Sequence, residues 1–469
     1  MDEFLFLQCF CYVCFKLNIG YGCALDATHF ISIQSPHLPP LLLHAAIRFP
    51  HNLSMRTVFH TFRLTAILLA CAYATVARGG DWPQFLGPHR NGAVTGETIR
   101  TNWKNQPPKK QWEQKVGSGF SGPIISDKTV FLYHRLGTQS TLDSIDLKSG
   151  ERNWRYQHAT QYRDDFGFDN GPRATPCVDG DSIFLMSADG MLSAVEKNSG
   201  KKRWEVDAKS TWKSGKGFFG MAPSPLAVGD MVVFIIGGQD DSGVIALNRN
   251  TGKLAWKATA DEAGYASPVL ENQGKDPALW VWTREKLYTM EPGSGHILAS
   301  LPWRSSMNAS VNAATPLLLP EGVFVSASYG AGALLVKREG NLLNRIWSGD
   351  DHISNHYATC VYHQGYLYGF HGRQEYGPEF RCIEAATGKV QWSEDNLSAG
   401  SVICVNDQLL LMMESGELIL LEASPDAFRT LGRRQILPSG VRAFPAFSNG
   451  IFLARSPERL VCMEMSGNP

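Results

Sequence analysis

The sequence predicts an all-β protein, an eight-bladed β-propeller of four-stranded antiparallel blades, and three observations carry that prediction. A short motif ending in tryptophan recurs along the chain. A small residue followed by proline, or its equivalent, recurs at intervals of 42 to 53 residues. Glycine (45 of 469 residues) and aromatic rings (11%) are abundant, which suits many short strands joined by tight turns. A repeat of about forty residues with two-residue alternation is a propeller blade; helical and leucine-rich repeats have other periods and patterns.

The tryptophan motif sets the register of the repeat. Ser144–Trp154 recurs as Ala194–Trp204, Ala246–Trp256 and Cys382–Trp392, each with a glycine four residues before the tryptophan. A weaker copy ends at Trp347, and a further one over Tyr288–Gly295 keeps the turn but has Ala299 in the tryptophan position. In the clearest copy an apolar strand (Gly243–Leu247) meets the turn Asn250-Thr251-Gly252, whose glycine supplies the positive φ such a turn needs. Upstream, each unit opens on a second signature, as in Thr175-Pro176 and Ser224-Pro225. Its proline or equivalent stands at Pro123, Pro176, Pro225, Pro268, Pro316, Cys360, Val402 and Pro445. Eight positions predict eight blades.

The eighth unit runs out of chain after three strands. The missing outer strand is expected from the other end, because Gln111–Val116 mirrors Arg203–Val206 and makes Trp112 the equivalent of Trp204. Ring closure by a strand from each terminus hides two sheet edges that would otherwise invite aggregation. The propeller is therefore assigned to 110–469, preceded by an N-terminal extended segment at 78–109.

Residues 1–80 read differently. Met55, the basic Arg56 and Arg63, the apolar Leu64–Ala74 and small residues up to Ala77 have the layout of a secretory signal peptide, assigned to 55–77. Residues 1–54 are read as an extension upstream of the true start. Leu68–Cys71 resembles a lipobox, so a lipid anchor at Cys71 is a variant of the same expectation. Export to the periplasm or cell envelope follows from either form.

Composition excludes several classes. Lys+Arg and Asp+Glu are 44 each, so no net charge points to nucleic acid. Beyond residue 71 the cysteines are Cys177, Cys360, Cys382, Cys404 and Cys462, with no C-x-x-C spacing, and no metal site is expected. Cys360 and Cys382 share a repeat and could pair in an oxidising compartment; buried free thiols are the preferred expectation. No G-x-S-x-G elbow, H-E-x-x-H or phosphate-cradling loop is present, so no catalytic residue is assigned.

The A-x-D/N-x-x-T-G-K-x-x-W pattern, clearest at Ala246–Trp256, resembles the PQQ-like repeat of bacterial quinoproteins over roughly residues 110–465. Asp81–Pro88 and His356–Phe370 look like segments of secreted propellers of that group. The resemblance implies that Trp112, Trp154, Trp204, Trp256, Trp347 and Trp392 dock blade against blade. It leaves two functional extremes open, quinone-dependent dehydrogenases and the non-catalytic propeller lipoprotein of the outer-membrane barrel-assembly machinery. Quinone chemistry needs a calcium-type ion, a carboxylate base and flat walls, and many such relatives carry neighbouring cysteines. The sequence has no vicinal cysteine pair and no calcium-loop cluster. The expectation is a non-catalytic binding scaffold without a cofactor, with a PQQ-dependent oxidoreductase as the alternative. A carbohydrate-active or sensory propeller is neither supported nor excluded.

Geometry places a binding site at the channel mouth, ahead of the innermost strands. Arg173, Tyr265, Asn312, His356, Tyr357 and Arg442 are the candidates there, for an anionic or aromatic ligand or the edge of a partner protein. Plugging and solvating the channel is the plainer role for the same residues. The long loops Gln161–Asn170, Trp212–Met221 and Trp303–Asn312 offer a second surface, in which Phe166, Phe168, Phe218, Phe219 and Trp303 could form a protein-binding patch. His352, His356, His363 and His371 are read as surface residues, not metal ligands. The partner is expected to be another envelope protein or a small ligand, and the chain a monomer.

Overall fold

The computed structural model describes residues 80–272, 276–308 and 311–466. The signal peptide and the Cys71 anchor lie outside the described residues. Two short strands precede the repeats, β1 (Ala93–Val94) and β2 (Lys109–Lys115). The first blade is β3 (Ile124–Ser126), β4 (Thr129–Leu136), β5 (Gln139–Asp146) and β6 (Arg152–Ala159), and the second is β7 (Cys177–Asp179), β8 (Ser182–Met186), β9 (Met191–Glu196) and β10 (Lys202–Asp207). The third is β11 (Leu226–Val228), β12 (Met231–Ile235), β13 (Val244–Asn248) and β14 (Leu254–Ala258). The fourth is β15 (Val269–Glu271), β16 (Ala278–Trp282), β17 (Lys286–Met290) and β18 (Ile297–Pro302). The fifth is β19 (Leu317–Leu319), β20 (Gly322–Ala327), β21 (Gly332–Glu339) and β22 (Leu342–Gly349). The sixth is β23 (Val361–His363), β24 (Tyr366–His371), β25 (Glu379–Glu384) and β26 (Val390–Glu394). The seventh is β27 (Gly400–Val405), β28 (Gln408–Met413), β29 (Glu417–Glu422) and β30 (Thr430–Gln435). The eighth has β31 (Ala446–Ser448), β32 (Ile451–Arg455) and β33 (Arg459–Glu464), and β2 adds its outer edge, Trp112 lying opposite Cys462. The predicted closure is thus observed. Among the described residues, helix is confined to α1 (Ala208–Trp212), capped by the Asp207 carboxylate, and a 3-10 turn at Gln374–Tyr376.

Within each blade the first strand is innermost and the last outermost, so connections between blades share one face, here the mouth face. The turns within each hairpin pair lie on the other, the base face. The second and third strands are buried on both sides, as Ser182–Met186 is throughout, and read as continuous apolar runs. Outer strands alternate instead.

The tryptophans join the blades. Trp112 Nε1 donates to Leu147 O in the first blade at 2.8 Å, and Trp204, Trp256, Trp347 and Trp392 donate to Arg249, Pro292, Ala385 and Ser424 in the blade that follows each. The indoles of Trp112, Trp154, Trp204, Trp256 and Trp347 each lie against the turn glycine of the next blade, whereas Trp392 meets Phe428 there, ring centroids 5.8 Å apart. A Cβ on Gly200 would stand 2.4 Å from Trp154, and one on Gly295 2.4 Å from Trp256. Positive φ and close approach therefore demand glycine at the same position.

The small residue before each proline has a separate role. Gly122 N–H donates to the Thr175 hydroxyl, Thr175 N–H to Ser224, Ser224 N–H to Ser267, Ser267 N–H to Thr315 and Thr315 N–H to Thr359, all at 2.9–3.1 Å. A hydroxyl relay so ties the heads of six innermost strands together. Cys177, Cys360, Cys382, Cys404 and Cys462 are buried and free, so Cys360 and Cys382 do not pair.

Candidate functional site

The segment ahead of β2 fills the axis of the wheel. Asp81 accepts from the Ser126 hydroxyl (2.9 Å) and the Asp127 N–H (3.1 Å) on the base face, and Trp82 exchanges main-chain bonds with Ile125 (2.9 and 2.8 Å). Val178 N–H then donates to Pro83 O at 2.8 Å. The chain reverses through Gly87 and Gly92, both at positive φ, and returns as β1, parallel to β27. Trp82 and Leu86 are fully buried and pack with Phe444 and the innermost strands.

At the reversal stands Arg90, which is 2% exposed. Its guanidinium donates to Pro268 O (3.0 Å), Ser224 O (3.3 Å), Pro225 O and Gln84 Oε1 (2.9 Å). Burial lowers its pKa to about 10, against a smaller opposing effect of Cys177. The cation is held by main-chain oxygens at the heads of the third and fourth blades, without a carboxylate among its bonded partners. The assignment of 78–109 as a separate extended segment missed this: tryptophan and leucine in Asp81–Pro88 are apolar enough to be core, and a channel lined by innermost strands offers unpaired main-chain groups to a chain that enters it.

Arg173 is stacked between Phe120 and Tyr162 (5.5 and 5.1 Å) and donates to Gly171 O and Asp169 O (2.8 and 2.9 Å). Arg442 lies over Phe120 and Phe168 (5.7 and 5.3 Å) and pairs with Glu414 at 2.9 Å. Tyr357 donates to the same carboxylate at 2.7 Å; burial and that charge push its pKa well above the usual phenol range. His356 Nδ1 stands 2.7 Å from Gln374 Oε1 and Nε2 3.1 Å from Tyr329 O–H. Those partners suit a neutral ring donating from Nδ1, in keeping with a pKa lowered by burial. Tyr265 accepts from Phe219 N–H at 2.6 Å, and burial raises its pKa to about 12. Asn312 is 1% exposed, with its amide on Thr283 O at 2.8 Å and its main-chain oxygen on Tyr265 and Ala266 N–H. Asn312 is therefore internal scaffolding, and the two arginines are already paired within the rim.

The long loops do bring four phenylalanines together. Phe166 and Phe168, from the connection after the first blade, meet Phe218 and Phe219, from the connection after the second, with Phe166 and Phe219 ring centroids 5.0 Å apart. Phe166 is 55% exposed and Phe168 53%. Arg284 lies over Phe218 at 4.9 Å. Beside the cluster is a cavity of about 260 Å³ bounded by Phe218, Tyr265, Arg284, Glu262 and a run of glycines that includes Gly215 and Gly217. Trp303 does not join them; it packs with the fourth and fifth blades under Arg345, 5.3 Å away. Trp303 directly follows β18, whose last residue Pro302 still pairs with Lys286, so it stays with the blade and not with the loop.

The four histidines are not uniformly on the surface. His352 stacks edge-on to Trp347 (5.1 Å), His371 accepts from Ser354 N–H (3.1 Å), and His363 pairs with Asp407 (3.1 Å). Among the described residues, no three of His, Cys, Asp and Glu are grouped to hold a metal ion. No helix of the described residues is long and apolar enough to cross a membrane.

Fold and face together define a closed eight-bladed propeller whose axis is occupied by its own N-terminal segment. A family profile described as "Outer membrane protein assembly factor BamB" matches residues 93–240 and 138–394, and the chain belongs to this family of PQQ-like propellers. Among solved structures it is similar to BamB from Moraxella catarrhalis (TM-score 0.58, 13% identity, 76% of this chain and 100% of that one). It is also similar to quinohemoprotein alcohol dehydrogenase from Comamonas testosteroni (TM-score 0.62, 13% identity, 85% and 82%). At such identities the likeness is one of fold. Curated relatives include a Ser/Thr-protein kinase, AfsK, of Streptomyces griseus (29% identity over 188 residues, 39% of this chain and 20% of that one). Quinoprotein ethanol dehydrogenase of Pseudomonas aeruginosa matches at 26% over 230 residues, 41% of this chain and 34% of that one. The matches thus span only about a fifth and a third of those relatives.

Proposed function

We propose that the chain is a non-catalytic scaffold of the cell envelope that binds a partner protein through its mouth face, at the cluster of Phe166, Phe168, Phe218 and Phe219. The observation that carries this reading is that two separate loops place four rings in one connected cluster, two of them more than half exposed. Exposed aromatic clusters beside a small polar-edged cavity are what hot spots of protein interfaces are made of. The family description supports an envelope location and a protein partner, and the balanced charge argues against nucleic acid. The chain acts as a monomer carrying no resident cofactor.

A photo-crosslinker at position 168 in the native envelope tests the reading. A discrete partner adduct is expected there and not from a crosslinker at Lys148 on the base face. Equal labelling from both positions, or none at 168, would overturn it.

A PQQ-dependent oxidoreductase is the second reading, favoured by the likeness to two alcohol dehydrogenases. The residues present fit such a group poorly. Trp82 to Gly92 fill the axis, and the Arg90 guanidinium is spread against main-chain oxygens there. The described cysteines are separate and buried. Addition of PQQ with calcium should leave the absorption spectrum additive and reduce no dye; a spectral shift or dye reduction would move the chain to the second reading.

A further inference from the structure

The joint between the seventh and eighth blades is built differently from its neighbours. Pairing register makes Gly432 the seventh blade's counterpart of Trp256 and Trp392: Leu420 lies opposite Gly432 as Ala246 lies opposite Trp256 and Cys382 opposite Trp392. The blade therefore lacks its docking ring. Trp103, from the segment between β1 and β2, takes the place. A Cβ on Gly432 would stand 2.6 Å from Trp103 Cβ and 2.7 Å from its ring, and Trp103 is 4% exposed.

The polar half of the joint is replaced as well. At Trp112, Trp204, Trp256, Trp347 and Trp392 the indole N–H donates to the carbonyl just past the third strand of the next blade. The equivalent carbonyl in the eighth blade, Met465 O, accepts instead from Arg100 N–H at 2.8 Å, while Trp103 Nε1 donates to Arg100 O at 2.8 Å. Arg100 also pairs with Glu464 at 3.5 Å, and the Glu97 carboxylate accepts from Gly450 N–H at 3.0 Å. On the axis, the hydroxyl relay that ties the first six blades ends at Thr359. Beyond it, Cys404 N–H and Asn406 N–H of the seventh blade donate to Gly92 O and Val94 O.

We propose that the axial groove and the joint between the seventh and eighth blades form one binding site for an extended peptide, filled in cis by residues 81–103, and that the wheel closes only when it is filled. The recognised features are an arginine seated on the Pro268 and Ser224 oxygens and a tryptophan thirteen residues later seated on Gly432. A peptide of that pattern supplied in trans is the ligand class. This inference is independent of the proposed partner-binding face.

Hydrogen exchange on the full chain reads it directly. Trp103→Ala should accelerate exchange in β27–β33 at least tenfold and leave β7–β18 unchanged, and Trp103→Ala/Gly432→Trp should restore protection. Uniform acceleration, or an unchanged seventh blade, overturns the proposal. Should Trp103→Ala fail to fold, Glu97→Gln carries the same comparison with a smaller local effect. A protease site inserted after Gln106 gives the second readout. The nicked strap is expected to exchange with a labelled peptide of residues 80–106, and an Arg90→Ala peptide to compete at least tenfold less well. Loss of the strap with unaltered exchange in every blade also overturns the proposal.

Discussion

Arg90 Nη1 donates to the main-chain oxygen of Pro268 at 3.0 Å, joining the N-terminal segment to the head of the fourth blade across 178 positions of sequence. The same guanidinium reaches Ser224 O and Pro225 O, so one side chain satisfies carbonyls at the heads of two blades. These oxygens face a channel lined by protein, where an acceptor without a partner costs about 1–3 kcal/mol.

Arg90→Met removes the charge and all of those bonds while keeping an apolar stem. A loss of about 3 kcal/mol in unfolding free energy is expected, with more for Arg90→Ala. Urea titration followed by tryptophan fluorescence measures it, and a loss below about 1 kcal/mol would show that water replaces the guanidinium.

Two glycines of like conformation should respond differently to alanine. Gly200 has φ +68° and Gly167 has φ +73°. A Cβ at 200 meets Trp154 at 2.4 Å, whereas one at 167 meets nothing within 4 Å. Gly167→Ala is expected to cost about 1 kcal/mol from backbone strain alone. Gly200→Ala adds the displacement of a docking tryptophan and should cost about 3 kcal/mol. Thermal melts of the two variants side by side provide the check.

Phe166→Ser and Phe168→Ser alter exposed rings. Unfolding free energy should move by no more than about 0.5 kcal/mol. Partner binding should weaken about 30-fold or more, the equivalent of about 2 kcal/mol at a hot spot. Calorimetric binding with the crosslinked partner separates the two effects.

Acid should loosen the wheel below neutrality. Burial lowers the pKa of His134, His158, His356 and His371 below the usual imidazole value. The unfolded chain then takes up protons first as pH falls through about 6.5, so stability is full above that value and is lost as pH drops toward the folded pKa values. Each group contributes a slope of at most about 1.4 kcal/mol per pH unit in that window. At His134 burial outweighs the opposing pull of the Asp143 carboxylate, 3.0 Å from Nε2, and Nδ1 accepts from Gly117 N–H at 2.7 Å, a bond open only to the neutral ring. Urea midpoints at pH 7.5 and 5.0 should differ, and His134→Gln should flatten the difference.

The tryptophan–glycine motif and the small-residue–proline motif each carried two kinds of information in the sequence, period and chemistry. Their period disclosed eight blades, and the match of Trp112 to Trp204 disclosed the shared eighth blade. Neighbouring residues in one strand make these features, so local pattern suffices to read them. The phenylalanines of the mouth face were legible singly, as apolar residues in polar loops. Their meeting was not, because Phe166 and Phe219 lie 53 positions apart and approach only through the curvature of the ring.

The sequence by itself determined the repeat, the number of blades and the strand that closes the last of them, because those depend on periodic side-chain alternation and turn chemistry. Tertiary structure alone decided what fills the axis, which rim arginines are already paired, and how Trp103 stands in for the ring that Gly432 lacks. Each of these is a contact between segments with no common period, set by where a closed wheel leaves main-chain oxygens and apolar surface without a partner. A linear pattern records what a strand offers to its neighbours; the vacancy at the centre exists only once all eight blades are in place.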